Sequence, residues 1–167
     1  MEFLDGAILP TAAPTIARSF HILSAQVGIC VTIYMVTIVV LIPISAWLSD
    51  KYGVRLVLFT SITIFTIGSL ACAFSTNLLE LTAMRIVQGV GAATMVPVGR
   101  LILMRSVDKS QVIRAISYSV WPALAAPVVA PVLGGFIIAH ASWHWIFLIN
   151  IPIGLFALLI GVKIVPQ

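Results

Sequence analysis

The sequence predicts an all-α membrane protein of six transmembrane helices, and three observations carry that prediction. Of its 167 residues, 61% are hydrophobic and only 8% are charged. Ordinary soluble domains carry about 25% charged residues, so this chain cannot cover a water-facing surface and the bilayer must solvate most of it. The apolar residues also fall into six runs, each near the roughly 20 residues that a bilayer-crossing helix needs. Charges, Asn, Ser and Pro gather in the short stretches between the runs.

The first run, residues 1–17, carries Glu2 and Asp5 and is broken by Pro10 and Pro14. It has no basic leader, which argues against a cleaved signal peptide. It is short for a span, so a natural sequence is expected to begin before Met1. The second run is 26–48, reached through Arg18–Ala25. The third, 56–75, follows the charged link Ser49–Arg55. Thr76–Asn77 opens the fourth, 78–104. Arg105–Val112 leads to the fifth, 113–139, which holds Pro122, Pro127 and Pro131. His140–Trp143 leads to the last, 144–164, after which Val165-Pro166-Gln167 reads as a second cut end. No link has room for a soluble domain, so residues 1–167 form a single transmembrane domain.

Orientation follows from the Lys/Arg bias of the links. Lys51, Arg55, Arg105, Lys109, Arg114 and Lys163 fall on one side and Arg18 on the other. Both ends are therefore expected in the cytoplasm. Trp143 and Trp145 then fall at the outer membrane interface, Trp47 and Tyr52 at the inner one. The formal net charge of +4 is spread among apolar spans, which is topology and not a nucleic-acid surface. Cys30 and Cys72 sit within apolar runs and read as small packing residues. Nothing has metal-ligand spacing beyond His140 and His144, four apart, for which an interfacial role is the stronger reading.

Two ionisable residues stand inside apolar runs. Asp5 lies about 12 residues, or roughly 18 Å, from the outer end of its helix, and Arg85 about seven residues, or roughly 10 Å. An ionisable group at such depth costs a few kcal/mol or more and is a functional hypothesis by default. The bland readings are a wet Asp5, with Met1 as the true start, and an Arg85 that snorkels outward. If the two meet, each eases the burial of the other, and protonating Asp5 releases Arg85. Arg100, nearer the cytoplasmic end of the same run, reads as a snorkelling residue. Asp50 and Arg55 can pair across the link after the second run, where Gly53 can take a positive φ. Gly89, Gly91, Ala92 and Ala93, and then Ala126, Ala130 and Gly134, are small-residue patches of the kind that let membrane helices approach closely. Trp121, in the middle of the fifth run, reads equally as cavity wall or packing.

Four segments in order resemble the major facilitator superfamily, and within it the fourteen-span drug:proton antiporter branch, the EmrB/QacA-like proteins. The first is Leu4-Asp5-Gly6-Ala7-Ile8-Leu9-Pro10, with Gly6 where the branch usually has Thr. The second is the loop motif Ala46-Trp47-Leu48-Ser49-Asp50-Lys51-Tyr52-Gly53-Val54-Arg55, with Ala46 in place of its opening Gly. The third is the fourth-helix motif, Arg85-Ile86-Val87-Gln88-Gly89-Val90-Gly91-Ala92-Ala93. The fourth, Ala126-Pro127-Val128-Val129-Ala130-Pro131-Val132-Leu133-Gly134-Gly135, is similar to the antiporter motif of helix five, with Ala126 and Ala130 in place of two glycines. Ser142–Gly154 resembles the branch's entry into helix six, with His144 where Arg is usual.

The resemblance implies the amino-terminal half of a proton-coupled exporter of small amphipathic compounds in the bacterial cytoplasmic membrane, built as two inverted three-helix repeats. It makes Asp5 the proton-responsive carboxylate and Arg85 its partner, with a proton and a substrate competing for Asp5. Asp50, Gly53 and Arg55 become a cytoplasmic gate latch. Gln88, Gly89 and Gly91 belong to the fourth-helix motif. Ala126, Pro127, Ala130, Pro131, Gly134 and Gly135 form a bending interface. The implied partners are the lipid bilayer, protons, a small amphipathic substrate and a second six-helix or larger half, in the same chain or another subunit. One half alone is expected to leave a polar cavity face against lipid. No cofactor, metal, nucleic acid or enzymatic activity is implied. The alternative is a nontransporting membrane interaction subunit or an inactive gene fragment.

Overall fold

The structure, a computed structural model, describes residues 1–108 and 110–164. Lys109, one of the topology charges, and the Val165–Gln167 end lie outside the described residues. The described residues form α1 (Glu2–Phe20), α2 (Ser24–Tyr52), α3 (Val54–Ala73), α4 (Leu78–Ser106), α5 (Val112–His140), α6 (Trp145–Leu148) and α7 (Asn150–Ile164). α6 and α7 together make the last span, Trp145–Lys163, and Ile149 between them keeps a helical φ of −60° and ψ of −25°. α2, α3, α4, α5 and this last pair are each long and apolar enough to cross a membrane.

Local chemistry explains where the helices stop. α1 closes at His21, which takes a left-handed conformation (φ 55°, ψ 42°). The Ile22 N–H then donates to the Ala17 carbonyl at 2.9 Å and the His21 N–H to the Arg18 carbonyl at 3.3 Å, satisfying carbonyls that a helix end leaves open. The link expected over Ser49–Arg55 is almost entirely helical. α2 runs through Tyr52, and Gly53 alone joins it to α3 at φ 84° and ψ 142°, a conformation that side chains with a Cβ rarely adopt. α4 opens with a reciprocal cap. The Asn77 side chain accepts from the Glu80 N–H at 2.9 Å, and the Glu80 carboxylate accepts from the Thr76 N–H at 2.8 Å. Pro122, Pro127 and Pro131 lie inside α5 without ending it.

In lipid, apolar burial gives little drive for helix association, and close packing of small residues takes its place. α4 is the central element. A Cβ on Gly91 would lie 2.5 Å from the Phe65 nitrogen and 2.7 Å from the Ser61 carbonyl, so the backbones of α3 and α4 touch there. A Cβ on Gly68 would meet the Gln88 backbone at 2.9 Å. On the other side, Gly89 leaves room for Thr37 of α2. α1 packs on α5 in the same fashion, with Gly134 against Ile8 and Thr11. α1 thus packs on α5, and α4 on both α2 and α3.

Two aromatic expectations separate. Trp47 and Tyr52 are exposed, edge to face, with the Lys51 ammonium 4.7 Å and 5.2 Å from their ring centres, as suits an interfacial anchor. Trp143 is instead 4% exposed and packs against Phe20 and Phe147, so it is a core residue and only Trp145 faces outward.

Candidate functional site: a buried ion pair clasped by four helices

Asp5 and Arg85 meet. Arg85 Nη1 donates to Asp5 Oδ2 at 2.5 Å, and both side chains are fully enclosed. The neighbours explain how two charges are held so deep. The other carboxylate oxygen, Oδ1, accepts from Gln88 Nε2 at 3.0 Å and from Asn150 Nδ2 at 2.9 Å. Arg85 Nη1 also donates to Gln88 Oε1 at 2.7 Å, and Nε reaches the Cys30 carbonyl at 3.5 Å. The guanidinium lies 3.9 Å from the centre of the Tyr34 ring, a cation–π contact that strengthens as water is excluded. Ser69 completes the clasp. Its hydroxyl accepts from Gln88 Nε2 and Asn150 Nδ2, both at 3.1 Å, and donates to the Phe147 carbonyl at 3.0 Å.

The carboxylate is thus held by side chains from α4 and α7, backed by Ser69 of α3, while α2 supplies the aromatic face. The sequence places Arg85 and Gln88 three apart, which puts both on one face of α4. Gly89 and Gly91 on the flanking faces let α2 and α3 close in around them. The network is not fully satisfied. Arg85 Nη2 and the Asn150 side-chain oxygen are buried without a hydrogen-bond partner. Each such group costs about 1–3 kcal/mol, which favours any rearrangement that pairs them.

Several expectations change. With both oxygens of Asp5 occupied and the residue 1% exposed, a substrate has no direct approach to it in this conformation. The polar centre also lies enclosed within this bundle instead of opening onto a face that a second half must cover. Asp50 and Arg55 form no ion pair: among the described residues the ion pair is Arg85 with Asp5. Arg55 Nη2 instead donates to the Val162 carbonyl of α7 at 3.3 Å, because the helical course through Tyr52 leaves Asp50 on another face. His140 ends α5, so His140 and His144 do not share a helix. His140 Nδ1 bonds the Phe136 carbonyl, and His144 bonds Ser142 and stacks on Trp143. Along the fifth-helix motif, Ala130 and Gly134 are buried against α1, whereas Pro127, Pro131 and Gly135 face outward and Ala126 is half-buried. Cys30 and Cys72 are buried free thiols.

Asn150, Ser69 and Tyr34 are the site residues that sequence reasoning missed. A neutral amide inside Phe-Leu-Ile-Asn-Ile-Pro is the one signal that could have pointed to Asn150. Ser69 carries none, since its hydroxyl resembles the many that bond their own helix.

Residues 1–167 match the profile of the Major Facilitator Superfamily. The chain belongs to the major facilitator superfamily. It is 44% identical over 167 residues to MdtD of Citrobacter koseri, a protein provisionally named for multidrug resistance. It is 43% identical over the same length to the proteins of that name from Escherichia fergusonii and Escherichia coli O157:H7. Each alignment covers 100% of this chain and 36% of the relative, so the chain spans about a third of the length of the curated relatives it matches. As a superfamily member with five helices apolar enough to cross a bilayer, it is an integral membrane protein.

Proposed function

We propose that this chain is the amino-terminal bundle of a proton-coupled exporter of small amphipathic compounds, seated in a bacterial cytoplasmic membrane with both ends facing the cytoplasm. Superfamily membership and relatives named for multidrug resistance support the class. The observation that carries the mechanism is the enclosed Asp5–Arg85 pair. Removing one partner of a buried ion pair leaves the other charge uncompensated, at about 3–5 kcal/mol. Protonating Asp5 does this to Arg85 without removing any atom. A bias of about 5.5 kcal/mol carries a two-state equilibrium from 1:99 to 99:1, so a single proton supplies much of what alternating access needs. Gln88 and Asn150 carry the signal to α4 and to the start of α7, and Asp50, Gly53 and Arg55 serve as the cytoplasmic latch. A second half, in the same polypeptide or another subunit, completes the path.

The test is Asp5→Asn in the intact protein. Proton-driven efflux from inverted vesicles should fall to background while the protein stays in the membrane at normal level. Efflux at the unmodified rate would remove Asp5 from the mechanism.

A further inference from the structure

Two unpaired polar atoms of the clasp complement each other. Arg85 Nη2 is a donor without an acceptor, and the Asn150 side-chain oxygen is an acceptor without a donor. Both residues are 0% exposed. They grip opposite oxygens of one carboxylate, Arg85 on Asp5 Oδ2 and Asn150 on Oδ1. The other amide of the site has no such spare end: Gln88 donates to Asp5 and Ser69 and accepts from Arg85 Nη1. Nor can the Asn150 amide turn round while Asp5 is ionised, because its oxygen would then face a carboxylate oxygen. Buried polar groups are ordinarily hydrogen-bonded, so a free donor and a free acceptor flanking the same carboxylate are a pair that the ionised state of Asp5 keeps apart.

We propose that Asn150 is a positioning residue that receives Arg85 when Asp5 takes a proton. The proton adds to Oδ2, because Oδ1 already accepts from both Gln88 and Asn150. Oδ2 then carries an O–H where it accepted the Nη1–H of Arg85, and that contact breaks. A guanidinium keeps its charge in a protein, so buried Arg85 needs another acceptor. Its Nη2–H donates to the Asn150 oxygen, while Asn150 Nδ2 keeps its bond to Oδ1. No other proton moves. An amide holds a donor and an acceptor in one uncharged plane, which lets one side chain serve both states of Asp5. Asn150 is the first residue of α7, so the exchange draws α4 toward α7. The titratable groups whose charges act on Asp5 are Arg85 on α4, Glu2 and the Met1 amino group on α1, Tyr34 on α2 and Cys72 on α3. α5 meets α1 through Gly134, α6 holds no ionisable residue, and α7 reaches Asp5 through the uncharged Asn150. Glu2 and Tyr34 also have an unpaired oxygen, but Tyr34 turns its ring face to the guanidinium, and Glu2 is separated as an outcome of the test.

The inference rests on the exporter reading only in taking Asp5 as the proton acceptor, and its tests use neither substrate nor gradient. In the intact protein in nanodiscs, Asp5→Asn holds position 5 neutral and leaves Arg85 without its carboxylate. Adding Asn150→Asp places a carboxylate where Arg85 is expected to turn, so the unfolding temperature should rise above that of Asp5→Asn alone. An unchanged or lower temperature means that Arg85 does not reach position 150 and overturns the proposal. Asp5→Asn with Ser69→Asp controls for mere closeness of a negative charge, because Ser69 bonds Gln88 and Asn150 and not Arg85. An equal rise in that control overturns the specific contact. The second measurement is an experimental structure of the intact Asp5→Asn protein, in which Arg85 Nη2 should lie about 2.9 Å from the Asn150 oxygen. A guanidinium found on position 5, on Glu2 or on no acceptor overturns the proposal. An Arg85–Asn150 contact in a protein whose Asp5→Asn variant still exports would keep the contact while removing the proposed coupling to export.

Discussion

Arg85 has no exposed surface, and its planar head serves three neighbours at once: Asp5, the Gln88 side chain and the Tyr34 ring. A lysine ammonium is a point charge without the fork or the flat face. Arg85→Lys is therefore expected to reach the membrane but to lose export at least tenfold, about 1.4 kcal/mol, measured by efflux at matched protein level. Normal export would mean that the charge alone matters and that the stacked geometry does not. Asp5 and Arg85 were legible in the sequence because a charge inside an apolar run is expensive wherever the chain goes. Asn150, which holds the carboxylate just as directly, and Ser69, which braces Gln88 and Asn150 behind it, were not. Neutral polar residues cost little in a helix, so their partners are invisible until three helices are assembled. Asp50 and Arg55 misled for the opposite reason: closeness in sequence promised a pair, but the helix through Tyr52 turned them apart and Arg55 found a carbonyl on α7.

Glycines of the motifs divide at the level of the helices into those that seat a neighbour and those that do not. Gly91 has the α3 backbone against it, while a Cβ on Gly135 would meet nothing within 4 Å. Gly91→Ala is expected to push α3 from α4 and lower the unfolding temperature in detergent by well over what Gly135→Ala does. Gly135→Ala should stay within about 0.5 kcal/mol of the parent, as for surface changes generally. Equal effects would mean that the α3–α4 contact gives way easily. Hydropathy alone pointed to the five helices that are long and apolar enough to cross a membrane, because a run of apolar residues has few other fates in a bilayer. It did not show the polar contacts that the sixth span makes through Asn150 and the Phe147 carbonyl. Nor did it show that a single residue, Gly53, makes the α2–α3 reversal, since charges near a membrane edge look alike in helix and loop.

Across the whole molecule, the enclosed pair gives the bundle a polar centre, and the proposed direction rests on the Lys/Arg bias of its links. The proposed direction puts the α4–α5 link inside and the α5–α6 link outside. Ser110 and Ser142 are exposed positions on these two links, and the native thiols Cys30 and Cys72 are both 0% exposed, so a new surface cysteine is read against a quiet background. In intact cells a membrane-impermeant maleimide should label Ser142→Cys and spare Ser110→Cys. In inverted vesicles the two should exchange. The reverse pattern would turn the molecule over, placing Lys51, Arg105 and Arg114 outside against the usual preference of basic links for the cytoplasm. It would also reverse the direction in which protonation of Asp5 could drive a substrate. Labelling of both variants from one side would break the proposed six-span topology itself, since α5, with 29 residues and mean hydropathy 2.0 in its apolar window, is what separates the two links.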